Sequence, residues 1–496
     1  MKHRITITAL LTLMVSCTGI PSSTSPVDNV PSIFPDYTDV VIPSNIAPLN
    51  FRIEENGRKY LTVITGGSEK TVIAGNKVQI PPRKWEKLKK RGLIGVQVYV
   101  MDDKNNWHSY IPFTFNVSDD LIDPYISYRI IPVAVESYQE LSIRERNLTN
   151  FKEKIIFANT MVQTNANGTC INCHSYRNYS TDNMLFHVRQ YKGGTVLVLD
   201  GELHKVNMKT DSTLSAGVFP AWHPTHDYIA LSNNRTHQSV HSASHDKLEV
   251  LDDISDLILY DIKNNAVSVI ENDSCELENY PAWSADGKKL YYVSYKYEGG
   301  YGDKRKNEMF LAREKFKFNL YSKTFDPDTR TWGPTVMEFD AAAVDSSITW
   351  PRVSPDGKRL LACISTHGVF PLDQIVSDFI MFNLDNGTYR HVDELNSPFA
   401  ESYHSWSSNG KWVMFSTRRE DGVHTRLYFS HFDKNGRFSK PFALPQRDPD
   451  FNREFLYAYN IPEFMKEPVH ITPRQFASFI SSTDAIPSKY ESKRGE

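Results

Sequence analysis

The stretch Tyr280-Pro281-Ala282-Trp283-Ser284-Ala285-Asp286-Gly287-Lys288-Lys289-Leu290 decides the fold of this chain, because its pattern comes four times. In this pattern a short strand carries an aromatic residue, an Asp-Gly or Asn-Gly type turn reverses the chain, and an apolar strand returns. The other three copies begin at Phe219, Trp350 and Tyr403. The repeats therefore predict a series of antiparallel hairpins.

Two further strand-like runs, at residues 256–260 and 267–270, follow the copy that begins at Phe219. Four-stranded units at intervals of roughly 50 to 70 residues are typical of a β-propeller. A strand pair at residues 195–199 and 204–208 adds a further partial unit. We therefore predict a mainly β protein with a propeller of five or six blades over residues 191–465.

The repeat motif closely resembles the WD-like repeats of the Tol-associated periplasmic propeller proteins, and it covers about half of the chain. The propellers of that family have six blades. The closing segment Tyr459-Asn460-Ile461-Pro462-Glu463-Phe464 also has the look of this group. The resemblance implies a Tol-like propeller in the cell envelope, and it leaves the physiological role open.

A second motif, Cys170-Ile171-Asn172-Cys173-His174, fits the C-x-x-C-H spacing for covalent attachment of a c-type haem. Cys170 and Cys173 would form thioethers with the porphyrin, and His174 would ligate the iron. We predict one haem c per chain on these three residues. The other interpretation is a disulfide or thiol pair with a surface histidine beside it.

Several residues are candidates for a second protein ligand of the haem iron, in addition to His174. Met184 and His187 follow the motif closely, and strand alternation puts Met184 and Phe186 on one face and His187 on the other. Met184 would raise the reduction potential, whereas His187 would lower it. His241, in a cluster of histidines, is a third candidate, and an iron without a sixth protein ligand is the fourth alternative.

The start of the chain predicts export and a lipid anchor. Residues 1–16 combine a basic start with an apolar run that is too short for a membrane span and fits a secretory signal. Ser16-Cys17 resembles a bacterial lipoprotein processing site, which implies lipidation of Cys17. Residues 17–30 are a Ser/Pro-rich tether. We predict an outer-membrane lipoprotein that faces the periplasm. This location agrees with the haem motif, because haem is attached to C-x-x-C-H outside the bacterial cytoplasm.

Between the tether and the repeats, residues 31–118 show period-2 runs separated by turn signals, which predict a small antiparallel, Ig-like β-sandwich. Residues 119–190 are interpreted as a bridge that holds the haem motif, with a helix over 136–151. The insertion at 295–317 is expected to be a solvated loop. Residues 466–496 form a carboxy-terminal tail.

The overall composition, with a net charge of −3 and no basic stripe, gives no indication of a nucleic-acid partner. The chain lacks a G-x-S-x-G elbow, so a propeller-bearing serine peptidase is not expected. The leading hypothesis is a membrane-anchored one-electron carrier that serves a redox partner, with a non-enzymatic role favoured over an enzymatic one. A further option is haem-based catalysis on peroxide or nitrogen oxides, which a five-coordinate iron would favour. The alternative is a propeller without haem that binds envelope proteins or glycans. A disulfide bond between Cys275 and Cys363 is a further alternative that the sequence leaves open.

Overall fold

The structure is a computed structural model that describes residues 19–133, 140–164, 167–240, 248–297, 299, 303–370 and 377–492. Strands predominate, so the prediction of a mainly β protein is confirmed. Within these ranges no helix has the length and apolar character needed to cross a membrane. Cys17 and His241 lie outside the described residues.

The amino-terminal unit is built from short strands and one helix. They are β1 (Ser25–Pro26), β2 (Ile33–Phe34), β3 (Val40–Pro43), β4 (Phe51–Ile53), β5 (Lys59–Gly66), β6 (Glu69–Ala74), β7 (Lys77–Val78), α1 (Pro82–Leu88), β8 (Leu93–Met101), β9 (Trp107–Ser109) and β10 (Phe113–Ser118). In β8 every second side chain is buried, because alternate residues of a strand point to opposite faces of the sheet. These strands form a seven-stranded sheet and a separate three-stranded sheet, β2-β4-β7.

Two features of this unit differ from the sequence prediction. The strands are not all antiparallel, since β1 pairs with β9 and β3 with β10 in parallel. The apolar run over residues 109–117 is not one strand but is interrupted at Tyr110-Ile111-Pro112, where proline has no N–H to donate to a ladder. The helix α1 was not predicted from the sequence.

The remaining strands follow one another in groups of four. They are β11 (Tyr125–Pro132), β12 (Ser142–Asn147), β13 (Glu153–Ala158), β14 (Thr169–Arg177), β15 (Ser180–Gln190), β16 (Gly194–Leu199), β17 (Glu202–Asn207), β18 (Val218–Trp222), β19 (Tyr228–Val240), β20 (Leu248–Asp261), β21 (Ala266–Glu271), β22 (Glu276–Trp283), β23 (Lys289–Lys296), α2 (Asp303–Leu311), β24 (Asn319–Asp326), β25 (Thr331–Phe339), β26 (Ser347–Val353), β27 (Arg359–Ser365), β28 (Ser377–Asn383), β29 (Tyr389–His391), β30 (Glu401–Trp406), β31 (Trp412–Thr417), β32 (Arg426–His431), β33 (Phe442–Ala443), α3 (Phe451–Glu454), β34 (Tyr457–Met465), α4 (Pro473–Ser482), β35 (Ile486–Pro487) and β36 (Lys489–Glu491).

These strands make a ring of antiparallel four-stranded sheets, which is the architecture of a β-propeller. In the first sheet the innermost strand is β34, which comes from near the end of the chain. The other three strands, β11 to β13, precede the strands of the second sheet in the sequence. The second to sixth sheets are β14–β17, β18–β21, β22–β25, β26–β29 and β30–β33. The innermost strands β34, β14, β18, β22, β26 and β30 each contact the next in this order, and β30 contacts β34.

The amino-terminal unit packs directly on the propeller and shares a hydrophobic core with it. The Trp412 indole N–H donates to the Asp120 carbonyl oxygen at 3.0 Å. The Asn50 amide donates to the Gln446 and Arg447 carbonyl oxygens at 3.1 and 3.0 Å. Bonds at several points of the contact orient the two units relative to one another.

The interpretation of residues 119–190 as a bridge is wrong, because this range contains β11 to β15 and supplies most of the first sheet and half of the second. The helix predicted over 136–151 is also wrong where the structure describes it, since residues 142–147 form β12. Leu141 and Leu148 are buried on either side of this strand, so their spacing only resembled a helical face. The insertion at 295–317 contains the helix α2 rather than loop alone.

The tail beyond residue 465 is ordered as a strap along the outside of the ring. Its helix α4 starts with a capping box at Thr472 and Gln475 and buries Phe476 and Ile480. After the helix, β35 pairs in parallel with β17, and β36 with β21. The tail thus covers the outer edges of the second and third sheets, edges that would otherwise be open to pairing with other chains.

Candidate functional site in the central cavity

Five of the innermost strands, β14, β18, β22, β26 and β34, line a cavity of about 250 Å³. Its wall is mostly aromatic and proline side chains, among them Phe219, Tyr280 and Trp350. Arg352 and Glu463 bring charge to this wall, and they pair at 2.6 Å. Largely apolar walls with a few fixed polar groups are typical of sites for small molecules and cofactors.

Each innermost strand carries the same backbone irregularity at the cavity. The ladder with the neighbouring strand shifts register there, as in a β-bulge. The residue at the bulge has positive φ in every case, between 31° and 56°. These residues are Cys173, Phe219, Tyr280, Trp350, Tyr403 and Ile461. The second cysteine of the C-x-x-C-H motif therefore occupies the position that carries an aromatic ring in four other strands.

The residue after the bulge is a proline in four strands and a histidine in two. They are His174, Pro220, Pro281, Pro351, His404 and Pro462. The sequence analysis recognised four of these strands but missed β14 and β34, because neither Cys173 nor Ile461 is aromatic. A signal was available in the asparagine that precedes the bulge, which is present in both strands and in the copy at Tyr280.

Cys173 and His174 both line the cavity and are 2% and 1% exposed. Neither ring nitrogen of His174 makes a hydrogen bond of full geometry among the described residues, although the Ser127 backbone lies close enough to interact with the ring. Burial, and after it the positive charge of Arg129, lowers the pKa of His174 to about 3, so its imidazole is neutral at physiological pH. A neutral and buried imidazole in a cavity wall is available to ligate a metal ion.

The two thiols of the motif differ in their surroundings. Cys173 faces the cavity, and burial raises the pKa of its thiol. Cys170 is half-buried, packs against the hydrophobic cluster between the first and second sheets, and is not part of the cavity wall. Arg129 lies near both thiols and donates to the Asn172 side-chain oxygen at 2.5 Å. Both thiols are free.

A repeated contact between neighbouring sheets is missing beside this motif. The Trp283 indole N–H donates to the Ala221 carbonyl oxygen at 3.0 Å, and the Trp406 N–H donates to the Arg352 carbonyl oxygen at 3.3 Å. Trp222 has the corresponding position next to β14, but its buried N–H has no partner among the described residues. The boundary between β14 and β18 therefore lacks the tryptophan hydrogen bond that two other boundaries have.

Met184 and His187 lie on opposite faces of β15, as the strand alternation predicted. Met184 is fully buried in the cluster between the first and second sheets, on the same face as Phe186. The His187 Nδ1 lies 2.9 Å from the Thr195 hydroxyl oxygen, and burial lowers the pKa of His187 to about 3. Neither Met184 nor His187 belongs to the cavity wall that includes His174.

The other two cysteines are not joined in the structure. Cys275 is exposed and Cys363 is fully buried in β27, and both are free thiols. In the part of the chain that the structure describes, no group of three or more His, Cys, Asp or Glu side chains is arranged to hold a metal ion. An iron held by a porphyrin needs no such group, so this observation leaves the haem prediction as it was.

No protein-family model and no curated protein matches this chain. Among solved structures, it is similar to TolB from Acinetobacter baumannii, with a TM-score of 0.43 and 13% identity over 77% of this chain and 85% of that one. It is also similar to the β-propeller domain of the Trilobed protease from Pyrococcus furiosus, with a TM-score of 0.32 and 11% identity over 72% and 95%. At this level of similarity neither comparison indicates a function.

Proposed function

We propose that this protein carries one c-type haem in the central cavity of its propeller and transfers single electrons. The observation that carries the proposal is the His174 imidazole, which is buried beside Cys173 in the cavity wall, where neither ring nitrogen makes a hydrogen bond of full geometry. A buried polar group without a partner is costly, so such a group in a native fold calls for a ligand or another explanation. An iron atom would supply the missing partner.

The residues near this imidazole fit the chemistry of haem attachment. Cys170 and Cys173 would hold the porphyrin through thioether bonds, and His174 would ligate the iron. The aromatic and proline side chains of the wall offer flat apolar surface to a macrocycle. The haem supplies a one-electron redox centre, while the chain binds it, orients it and limits its contact with water. Attachment through Cys170 requires that this half-buried thiol turn towards the cavity.

The sixth coordination position is proposed to be open. Met184 and His187 are packed within the second sheet and are absent from the cavity wall that includes His174. Either side chain would have to leave a packed environment to reach the iron, and the loss of buried apolar contacts opposes this for Met184. An open position leaves room for small ligands. A variant of the proposal is therefore that the haem protein catalyses a reaction of peroxide or nitrogen oxides.

The proposal extends to the architecture and the cellular location. We propose a six-bladed propeller, which the closed ring of innermost strands supports, preceded by a sandwich-like unit that acts as a spacer or binds a partner. The signal at residues 1–16 and the cysteine at Cys17 support a lipoprotein of the outer membrane that faces the periplasm. The electron partner would then be a protein of the same compartment.

A second candidate function is a propeller without haem that binds an envelope protein or a glycan in the central cavity. One observation favours it, namely that Cys173-His174 has the same place in its strand as Tyr403-His404. A cysteine before a histidine can therefore arise from the propeller repeat alone. In this case Cys170 and Cys173 are a thiol pair or a disulfide.

The decisive experiment is to produce the full-length protein with and without the cytochrome c maturation machinery and to measure its intact mass and visible spectrum. We expect the mass to increase by one haem and a Soret band to appear only with the machinery. Replacing Cys170 and Cys173 together by alanine should abolish both, whereas Cys275→Ala, at an exposed thiol elsewhere, should change neither. A mass without haem, or a Soret band that survives the double replacement, contradicts the haem proposal. A Cys170–Cys173 disulfide in the mass spectrum would then support the second candidate.

A further inference from the structure

The third and fourth sheets of the ring are joined by a direct strand contact. Ser255 of β20 pairs in parallel with Leu277 of β22, so that the two sheets continue into one another at this point. We call this contact, residues 252–256 with residues 276–279, the seam. The helix α2 packs against β20 there, and its Arg305 donates to the Asp253 carbonyl oxygen at 3.1 Å.

The seam concentrates carboxyl groups on its two strands. β20 carries Asp252, Asp253 and Asp256, and β22 carries Glu276 and Glu278. Most of them have partners. Asp252 accepts hydrogen bonds from the Asn234 and Asn279 amides and the Thr236 hydroxyl at 2.6–2.7 Å, and Asp253 pairs with Arg235 and His237 at 2.5 and 3.0 Å. Glu276 accepts from the Ser294 hydroxyl at 3.0 Å.

Glu278 is different, because it is fully buried and neither of its carboxyl oxygens has a hydrogen-bond partner on another described residue. The ionised form of such a group is strongly disfavoured, since burial removes its hydration without replacing it. The charged groups that face it are mostly acidic as well. Asp256 of β20, Glu276 of β22 and Glu271 of β21 all oppose its ionisation.

The basic groups at the seam are directed to other partners, since Arg235 and His237 pair with Asp253 and Arg305 donates to the Asp253 carbonyl oxygen. Lys323 of β24 forms an ion pair with Glu271, which occupies it. Tyr292 of β23 also faces these acids, and its neutral hydroxyl donates to Thr335 at 3.3 Å instead of to Glu278. Burial, and after it the neighbouring Asp256, raises the pKa of Glu278 well above the usual range of a glutamate. Burial also raises the pKa of Asp256 to about 6.

We infer that Glu278 and Asp256 make the seam between the third and fourth sheets a pH-sensitive joint of the propeller. When these carboxyl groups are protonated, the two strands pack without repulsion. When they ionise, two negative charges lie close together, and no other described residue gives Glu278 a hydrogen bond that would stabilise its charge. The joint is therefore tight in acidic surroundings and loosens as the pH rises.

The sign of the pH dependence follows from linkage. In the unfolded chain both groups titrate near pH 4, as ordinary carboxyl groups do. Because their pKa values are raised in the folded state, folding takes up protons, and the stabilisation that is present below about pH 4 is lost as the pH rises through 6 and beyond. Partnered carboxylates elsewhere in the chain change stability in the opposite direction, so the contribution of the seam has to be isolated by substitution.

The test compares the wild type with Glu278→Gln, which keeps the shape of the side chain and removes its charge. The denaturation midpoint in guanidinium would be measured between pH 5 and pH 8, on protein made without haem so that the result is independent of the proposed function. We expect the midpoint of the variant to rise relative to the wild type as the pH increases. Glu202→Gln, at an exposed position of β17, should follow the wild type throughout.

Hydrogen exchange at pH 8 would locate the effect. Peptides covering residues 252–258 and 276–280 should be better protected in Glu278→Gln than in the wild type, with the other sheets unchanged. A midpoint difference between variant and wild type that does not depend on pH would overturn the inference, whatever its size. If the variant is unstable at every pH, Asp256→Asn provides the same comparison from the other strand, and a pH-independent difference there overturns it equally.

Discussion

His174 and His404 have the same position in the innermost strands of the second and sixth sheets, each directly after a bulge residue with positive φ. Burial lowers the pKa of both to about 3, so both are neutral. The His404 Nε2–H donates to the Leu361 carbonyl oxygen at 2.9 Å, whereas neither nitrogen of His174 makes a hydrogen bond of full geometry. The same backbone thus presents one histidine that joins two sheets and one that is free to bind a ligand.

This difference predicts opposite effects of the same substitution. His404→Phe removes the hydrogen bond to the buried Leu361 carbonyl oxygen, which should lower the free energy of unfolding by about 0.5–1.5 kcal/mol. His174→Phe removes no hydrogen bond of full geometry and should cost less. Guanidinium denaturation of both variants, made without haem, measures this. Equal losses, or a larger loss for His174→Phe, would show that His174 has a structural partner after all.

With haem attached, His174→Phe should have the larger effect of the two substitutions, and the property affected is the visible spectrum. His174→Phe removes the proposed iron ligand and should shift the Soret band, while His404→Phe should leave the spectrum unchanged because His404 is not part of the cavity wall that includes His174. The two measurements separate the role of a ligand from that of a packing residue. A spectrum altered by both substitutions would mean that His404 also approaches the iron.

The propeller was predictable from the sequence where its signals are local. The four recognised strands each join an aromatic bulge residue to a hairpin, and three of these hairpins turn at a glycine with φ between 66° and 72°. The pairing of β34 with β11 was not predictable, because it joins residues more than 300 positions apart and leaves no local pattern. The spacing of Cys170, Cys173 and His174 drew attention to a strand whose Cys173 and His174 line the central cavity, but the burial of Met184 depends on the neighbouring sheet.

The tryptophans at the sheet boundaries provide a second matched comparison. Trp222 and Trp283 are equally buried, each 8% exposed, but only Trp283 donates its indole N–H to a carbonyl oxygen, that of Ala221. Trp→Phe removes similar volume at both sites and a hydrogen bond only at Trp283. We expect Trp283→Phe to lower the free energy of unfolding by about 1 kcal/mol more than Trp222→Phe. Chemical denaturation measures both, and a larger loss at Trp222 would contradict the assignment.

The carboxy-terminal strap should contribute strongly to stability through one side chain. Phe476 is fully buried, and its ring centroid lies 5.3 Å from that of Phe186 in β15. Phe476→Ala should cost about 3–5 kcal/mol, because it leaves a cavity between the strap and the second sheet. Phe479→Ala, on the same helix at a half-buried position, is the control and should cost clearly less. Thermal unfolding provides the measurement, and equal losses would indicate that the strap is held by its strand pairs instead.

The contact between the amino-terminal unit and the propeller should depend on pH through Asp450. Its carboxylate lies 2.9 Å from Arg52 and 2.7 Å from Lys77, and both partners belong to the amino-terminal unit. Burial alone would raise the pKa of Asp450, but the bonds to Lys77 and Arg52 outweigh burial and lower it. A lowered folded-state pKa means that the stabilisation is complete above about pH 4 and is lost as the pH falls through the folded-state value.

Asp450→Asn should therefore lower the free energy of unfolding at pH 6 by about 1–2 kcal/mol, a range reduced for the solvent exposure of Lys77. The difference from the wild type should shrink towards pH 2, where the wild-type carboxyl group is itself protonated. Asp448→Asn is the matched control, since Asp448 also contacts Lys77, at 3.1 Å, but is half exposed. This variant should lie close to the wild type at every pH. If both variants lose the same stability, the contact between the two units owes little to the buried carboxylate and is held by the shared apolar core.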